Sequence, residues 1–449
     1  MKRYIPQSIK NIYHLCQAVL ANFWFGFPSK KIKVIGVTGT NGKTTTCQMI
    51  ANILEEAGHQ VAMASTINFK MGENEWVNAT KFTTLSAWAV QKFIREAVGN
   101  KCDYLVLETS SHSLDQYRVW GIDYDVAVIT NVTREHLDYH KTMENYRRAK
   151  TRLFKMAKKA VVNLDMEKPE EYLDCKAESI FGYSLKIQNS KFQIPNKSKI
   201  PNQKFQTVIA EDVELGVKNS KFKIHPPAFS NSVKRDGETG NSKFSINLIG
   251  DFNIENALAA ISAGVAQGIS LEVCAKALGK IKGVPGRMES VSNDRDFNII
   301  VDYAVTPDSL EKLYALLDRI NYKKGKIIAV FGACGERDRG KRPIMGEIVS
   351  RFSDYVIVTN EDPYNEDPRR IIDEVAGGVK GKKEGKNFFK IFDRREAIRK
   401  SLELAMPGDF VVITGKGAEE TMAVGKKRIP WNDKKVALEE LALLTRNQK

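Results

Sequence analysis

Residues 36–46 read GVTGTNGKTTT and follow the apolar run Ile32–Ile35. A short β-branched strand that enters a glycine-rich turn, with Lys43 and Thr44 opening a helix, leaves few folds open. In that layout backbone N–H groups and the helix dipole face an anion. Lys43 reaches the β- and γ-phosphates, and the Thr44 hydroxyl can ligate Mg²⁺. The strict GxxxxGK[ST] pattern would place glycine at position 37, where this chain has Val37. The match is therefore to the narrower variant TGTNGKT, and ATP is the expected ligand.

From Lys33 to about Ala160, apolar strand candidates alternate with amphipathic helices. The strands are KVIGVT, VAMAST, YLVLET, VAVITNV and AVVNL; the helices include TTTCQMIANILEEAG and LSAWAVQKFIREAV. That βαβα order predicts an α/β fold, a P-loop-type doubly wound parallel sheet with the phosphate loop after its first strand. Residues 184–247 are rich in Asn, Ser, Lys and Gln, with alternating runs such as FQTVIA. The tetrapeptide NSKF starts at Asn189, Asn219 and Asn241 with uneven spacing. This stretch is expected to be a β-rich insertion of hairpins and loops decorating the domain, not a solenoid. A helical run returns after Asp251, GVPGR at 283–287 looks like a hinge, and a second alternation from Asn298 predicts a Rossmann-like C-terminal domain. The domains are expected at 1–32 (a short linking segment), 33–283 (ATP-binding) and 284–449.

At 449 residues the chain has room for two or three domains. The net charge of +15 fits anionic substrates or a lysine-rich surface. No basic block is interleaved with aromatics, so nucleic acid is not expected as a partner. Six scattered cysteines without CxxC spacing point to a reducing compartment, here the cytoplasm, and against structural zinc. The apolar segment Ile12–Phe27 contains His14, Gln17 and Asn22 and ends at Gly26 and Pro28. It is too short and polar to span a bilayer. A helix docked on the body is expected, with an interfacial membrane helix as the alternative.

Two strands of the first domain end in polar residues, where a doubly wound sheet places its site. One ends at Glu108, followed by Thr109, Ser110, Ser111 and His112; the other at Asn131, followed by Thr133, Glu135, His136, Asp138 and His140. A carboxylate beside a phosphate loop is placed to hold Mg²⁺. Of the nearby histidines, His112 and His140 are the more structural candidates.

The stretches GVTGTNGKTTT, ETSSHSLDQYRV, TNVTREHLDYHKTMENYRRAKTRLF, GDFNIENALAA, GVPGRME, VDYAVTPDSLEKL, GERDRGKRPIMG and ITGKG run from 36 to 417. Their order and spacing closely resemble the Mur ligase family, MurE type (UDP-N-acetylmuramoyl-tripeptide synthetases). The resemblance implies an ATP-dependent amide ligase of peptidoglycan precursor synthesis. Such enzymes activate the carboxylate of UDP-N-acetylmuramoyl-L-Ala-D-Glu as an acyl phosphate, which the amine of an amino acid attacks. It also implies a cytoplasmic monomer using ATP and two Mg²⁺ ions. By the same resemblance Gly39, Thr40, Asn41, Gly42, Lys43, Thr44 and Thr45 form the ATP loop, and Asn253, Asn256, Arg287 and Asp302 contact the nucleotide. Thr44, Glu108 and His136 fall at metal ligands. Lys150, in RRAKTRLF, matches the lysine that members carbamylate, the carbamate serving as a ligand for the second metal. Lys43, Glu108, His136 and Lys150 are the catalytic set. Thr83, Thr84, Ser110, Gln116 and Arg118 fall where the muramoyl-dipeptide is held, and Asp362, Tyr364, Gly415 and Glu419 where the amino acid is held.

Three departures bear on substrate. Family members carry an N-terminal uridine-binding domain, whereas Lys33 already opens the loop strand here. The resemblance thus implies a uridine pocket that is absent or rebuilt. Diaminopimelate-adding members show DNPR where this chain has Glu361-Asp362-Pro363-Tyr364. Tyr364 cannot supply the arginine charge that clamps a carboxylate, so L-lysine or another amine is expected, unless Arg369 or Arg370 compensates. GKGHE and VDYAHTP read GKGAE and VDYAVTP, with Ala418 and Val305 in place of histidines. A relative acting on another carboxylate, of poly-γ-glutamate or cyanophycin type, is the second reading. A non-catalytic ATP-binding subunit is the third; it predicts loss of Lys43, Glu108, His136 or Lys150, and all four are present.

Overall fold

The computed structural model describes residues 6–78, 83–185, 204–216, 219–224, 242–321 and 325–446. The chain divides into two compact units, residues 1–133 with 140–282, and residues 134–139 with 283–449.

The first unit is built on one mixed sheet. Its strands are β1 (Lys33–Thr38), β2 (Val61–Ala64), β3 (Asn68–Met71), β4 (Asn74–Val77), β5 (Tyr104–Glu108), β6 (Tyr124–Ile129), β7 (Ala157–Asn163), β8 (Ser179–Ser184), β9 (Lys204–Leu215), β10 (Ser220–Ile224) and β11 (Ser242–Ile246). Among the described residues their order is β11-β10-β9-β8-β7-β6-β1-β5-β2-β3-β4. β1 lies between β5 and β6 and is parallel to both. Strands buried on both faces read as continuous apolar runs, as β1 and β5 do. Chain order reverses across β1: β5 and β2 lie on one side, β6 and β7 on the other. A crevice therefore opens at the carboxyl end of β1, where the phosphate loop sits.

Helices cover the sheet. α1 (Gln7–Phe25) packs against α3 (Ala87–Gly99), and α2 (Lys43–Glu56) packs against the helix Asp251–Ala266. α3 starts cleanly because the Ser86 side chain accepts from the Ala89 N–H.

The β-rich insertion joins the main sheet instead of decorating it. β9 pairs parallel with β8, and β10 and β11 continue from it antiparallel. The repeated NSKF gains a physical sense here. Phe222 and Phe244, from the second and third copies, face each other across β10 and β11 with rings stacked 5.1 Å apart. Such a cross-strand aromatic pair fixes register. The copy at Asn189 and Asn241 itself lie outside the described residues.

In the second unit β12 (Glu289–Val291), β13 (Asn298–Asp302), β14 (Ile327–Phe331), β15 (Tyr355–Thr359), β16 (Phe388–Ile391) and β17 (Phe410–Thr414) form a sheet of order β12-β13-β17-β14-β15-β16. All its pairs are parallel except β12 with β13. Its core is aliphatic, with Val330, Ile357, Val411 and Ile413 fully buried. Each such side chain contributes about 1.5–3 kcal/mol relative to exposure. The GVPGR segment is a tight turn closed by Arg287 N–H donating to the Val284 carbonyl.

Candidate active site

The turn after β1 ends at Gly42, which caps α2 with φ 83°. Two glycines are demanded by geometry. A Cβ on Gly39 would meet Thr130 Oγ1 at 1.9 Å, and one on Gly42 would meet Asn256 Oδ1 at 2.1 Å. β6 braces the turn from beneath. Asn41 N–H donates to Asn131 Oδ1 (2.9 Å), and Thr130 Oγ1 and Asn131 Nδ2 donate to the Asn41 carbonyl. Lys43 curls back, its Nζ donating to the Thr40 and Gly39 carbonyls at 2.8 and 3.2 Å. Thr45 is buried in the first turn of α2.

Glu108 ends β5 and is buried. Thr44 Oγ1 donates to its Oε2 at 2.9 Å; Thr66 donates from its N–H to Oε2 (2.8 Å) and from its hydroxyl to Oε1 (2.9 Å). With that proton directed at Glu108, the Thr66 hydroxyl can accept from Thr83 Oγ1, 3.1 Å away. Thr84 continues the cluster: its hydroxyl donates to the Glu108 carbonyl and accepts from Ser110 N–H, while Arg118 Nη1 donates to the Thr84 carbonyl at 2.8 Å. The predicted Thr44, Thr83, Thr84, Glu108, Ser110 and Arg118 are thus one connected set. Gln116 caps the short helix α4 (Ser111–Asp115) nearby in sequence and is half-buried. His140 bonds Ser111 Oγ and packs against the His112 ring, as suits structural histidines.

Lys150 lies on the apolar face of the helix Met143–Phe154, with Tyr146, Arg147, Leu153 and Phe154 buried beside it. It is fully buried and donates to the Gly39 carbonyl at 2.7 Å. Burial first, and the charge of Lys43 second, hold its amine well below the usual lysine range. Asn253 and Asn256 stand in the first turns of the helix Asp251–Ala266, and Thr46 Oγ1 donates to Asn256 Oδ1 at 3.4 Å. His136 lies in the 134–139 segment grouped with the second unit, at φ 56°.

Among the described residues no three His, Cys, Asp or Glu side chains gather into a metal cage. The donors present, a threonine hydroxyl and a carboxylate beside a phosphate loop, are hard oxygens. They suit Mg²⁺, which keeps waters and takes phosphate oxygens in place of an all-protein cage.

In the second unit the ends of β13, β14, β15 and β17 meet. Asp302 accepts from Met288 N–H and Ala304 N–H, both at 2.7 Å, and burial pushes its carboxyl up, with Arg287 opposing. The Arg287 guanidinium lies 4.7 Å over the Tyr303 ring. Lys416, fully buried, donates to Asp362 Oδ1 at 2.8 Å and to Glu419 Oε2. Gly415 lies against the Glu361 carboxyl. Glu361 is buried, its Oε2 finds no partner among the described residues, and burial followed by Asp362 pushes its carboxyl up to about 7. Tyr364 is half-buried beneath the Arg428 guanidinium at 5.2 Å. Arg369 lies over Phe392 and Arg370 pairs with Glu374.

Two contributors escaped the sequence reading. Thr66, the first polar residue but one after β2, supplies two donors to Glu108. The strand-end rule applied to VAMAST would have found it. Arg337 hydrogen-bonds Cys334 and lies close to Tyr364 and Tyr303; only its place after β14 could have signalled it.

Similarity to known proteins agrees with this geometry. The Mur ligase middle domain matches residues 37–264, and the Mur ligase glutamate ligase domain matches residues 286–417. A UDP-N-acetylmuramoyl-L-alanyl-D-glutamate–2,6-diaminopimelate ligase of Syntrophomonas wolfei is 40% identical over 431 residues, 94% of this chain and 81% of that protein. A UDP-N-acetylmuramyl-tripeptide synthetase of Roseiflexus sp. is 38% identical over 95% of this chain and 82% of that protein. A solved UDP-N-acetylmuramoyl-L-alanyl-D-glutamate–2,6-diaminopimelate ligase superposes with a TM-score of 0.59 at 32% identity, covering 92% of this chain and 79% of that one. The phosphate loop, the buried lysine and carboxylate beside it, and both domain matches place this chain in the Mur ligase family of ATP-dependent ligases.

Proposed function

We propose that the protein joins an amino acid to UDP-N-acetylmuramoyl-L-Ala-D-Glu, using ATP, in peptidoglycan precursor synthesis. The observation that supports this reading is the connected set around Glu108, in which Thr44 of the phosphate loop shares one hydrogen-bonded array with Thr84, Ser110 and Arg118, the residues proposed for the acceptor side. A carboxylate and a triphosphate repel, so attack on the γ-phosphorus needs cations and positioning more than covalent help. Lys43 and the loop N–H groups hold the phosphates, and Arg118 offers a guanidinium to an acceptor carboxylate or diphosphate. Asn256, against Gly42, fixes the loop, and Asn253 precedes it on the same helix. One acceptor oxygen bonds phosphorus as ADP leaves. The amine then attacks the acyl carbon, phosphate departs and the amide forms.

Thr44 and Glu108 would hold Mg²⁺, which would neutralise charge on the transferred group. A second ion would use Lys150 as a carbamate. An uncharged buried amine is a nucleophile for CO₂, and the carbamate formed with loss of one proton supplies anionic oxygens that an ammonium cannot.

On the amine side the proposal is L-lysine or another amino acid without a second carboxylate. The relatives named for diaminopimelate argue the other way, but Tyr364 offers no charge, and Lys416 is already engaged by Asp362 and Glu419. Arg337, beside Tyr364, offers a cation to the α-carboxylate. The test is phosphate release by purified protein with ATP, Mg²⁺, the muramoyl-dipeptide and a panel of single amino acids, with products weighed by mass spectrometry. Release that needs the acceptor and one amino acid, with the matching mass gain, is expected. No release with any amine from protein that binds ATP would shift the reading to another carboxylate acceptor. Release with diaminopimelate alone would overturn the amine assignment.

A further inference from the structure

α1 carries two faces with opposite environments. Its docked face is small: Ala18, Ala21 and Asn22 are buried, and Asn22 Nδ2 donates to the Trp120 carbonyl at 2.8 Å. Asn11 Nδ2 reaches Asp115 Oδ2 at 3.2 Å, so the helix is tied to the body along its length. The outward face bears Ile9, Ile12, Tyr13, Cys16, Leu20, Phe23 and Trp24, all exposed. At 100° per residue these positions fall within an arc of about 120°. Trp24 is 77% exposed and Phe23 67%. Trp88 of α3, beside Trp24 with rings 6.4 Å apart, widens the patch. An apolar stripe turned away from the core is not explained by folding.

Charge says what covers it. The first acidic residue of the chain is Glu55, whereas Lys2, Arg3, Lys10, Lys30, Lys31, Lys33 and Lys43 precede it. Lys30 and Lys31 are exposed just beyond the aromatic end of the stripe, and Lys30 Nζ lies 5.3 Å from the Phe27 ring. Apolar and aromatic side chains on one face, the exposed Lys30 and Lys31 beyond its aromatic end and no acid on the helix itself suit the interface of an anionic bilayer. A second copy of the chain would bring these lysines against their counterparts. No helix among the described residues is long and apolar enough to cross a membrane, so α1 would lie in the interface plane. We infer that α1 docks the protein on anionic lipid surfaces through its outward face, independently of the reaction proposed above.

The test is flotation of the full chain with vesicles of phosphatidylcholine containing about 30 mol % phosphatidylglycerol, and with phosphatidylcholine alone. Wild type should float with the anionic vesicles at low salt and be released as salt rises. Leu20→Ser with Phe23→Ser and Trp24→Ser should cut the bound fraction roughly tenfold, with turnover unchanged. Lys30→Glu with Lys31→Glu leaves the stripe intact and should weaken binding to anionic vesicles, which keeps the proposal testable if the triple variant misfolds. Wild type that stays in the soluble fraction, or floats equally with both vesicle types, would overturn the inference. So would a dimer that the triple variant dissolves, with no response to lipid, since the occupant would then be a second copy.

Discussion

The residue with the sharpest chemical demand on it is Lys150. A lysine sealed on the apolar face of a helix, with Lys43 nearby, cannot hold its charge at the usual cost. As a carbamate it would become an anionic ligand beside the phosphate loop. Lys150→Ala should lower turnover at least about a hundredfold while leaving the fold intact, and bicarbonate with a short-chain carboxylic acid should restore part of it. Steady-state rates with and without the acid decide this, and wild-type turnover in the variant would remove Lys150 from the mechanism. In the sequence this position was one lysine in a basic helix, distinguished only by its motif. Its burial depends on which helix face meets the sheet, which composition does not reveal. Thr66 was overlooked for a related reason: its role appears only when β2 and β5 are neighbours and its donors converge on Glu108.

At the scale of elements, the parallel strands were legible because strands buried on both faces leave continuous apolar runs. The continuation of the first sheet through β9 was not, since alternation shows that a strand exists but not what it pairs with. The last helix, Asp433–Arg446, is pinned by a contact equally hidden in sequence. Arg394 Nε and Nη2 donate to the two oxygens of Asp433 at 2.8 and 2.7 Å, and Nη2 also donates to the Thr414 carbonyl at the end of β17. Both side chains are fully buried. Asp433→Ala would strand the guanidinium without its partner. It should destabilise the second unit by about 3–5 kcal/mol, read from denaturant unfolding. A loss near zero would mean that water or another carboxylate reaches Arg394.

Over the whole molecule, each of two α/β units places its polar residues at the carboxyl ends of parallel strands. The first gathers the phosphate loop with Glu108, Thr84, Ser110 and Arg118, and the second gathers Asp302, Glu361, Asp362, Lys416 and Glu419. That division matches a reaction with two halves, activation of a carboxylate and capture by an amine. The central claim is that the acceptor carboxylate itself is activated by ATP, and an isotope follows it directly. UDP-N-acetylmuramoyl-L-Ala-D-Glu would carry ¹⁸O in both oxygens of the reacting carboxyl, and the phosphate released during ligation would be weighed. The account predicts one ¹⁸O in each phosphate, carried over when the amine displaces it from the acyl carbon. Phosphate without label, with the heavy oxygen displaced from the carboxyl recovered in water, would contradict it.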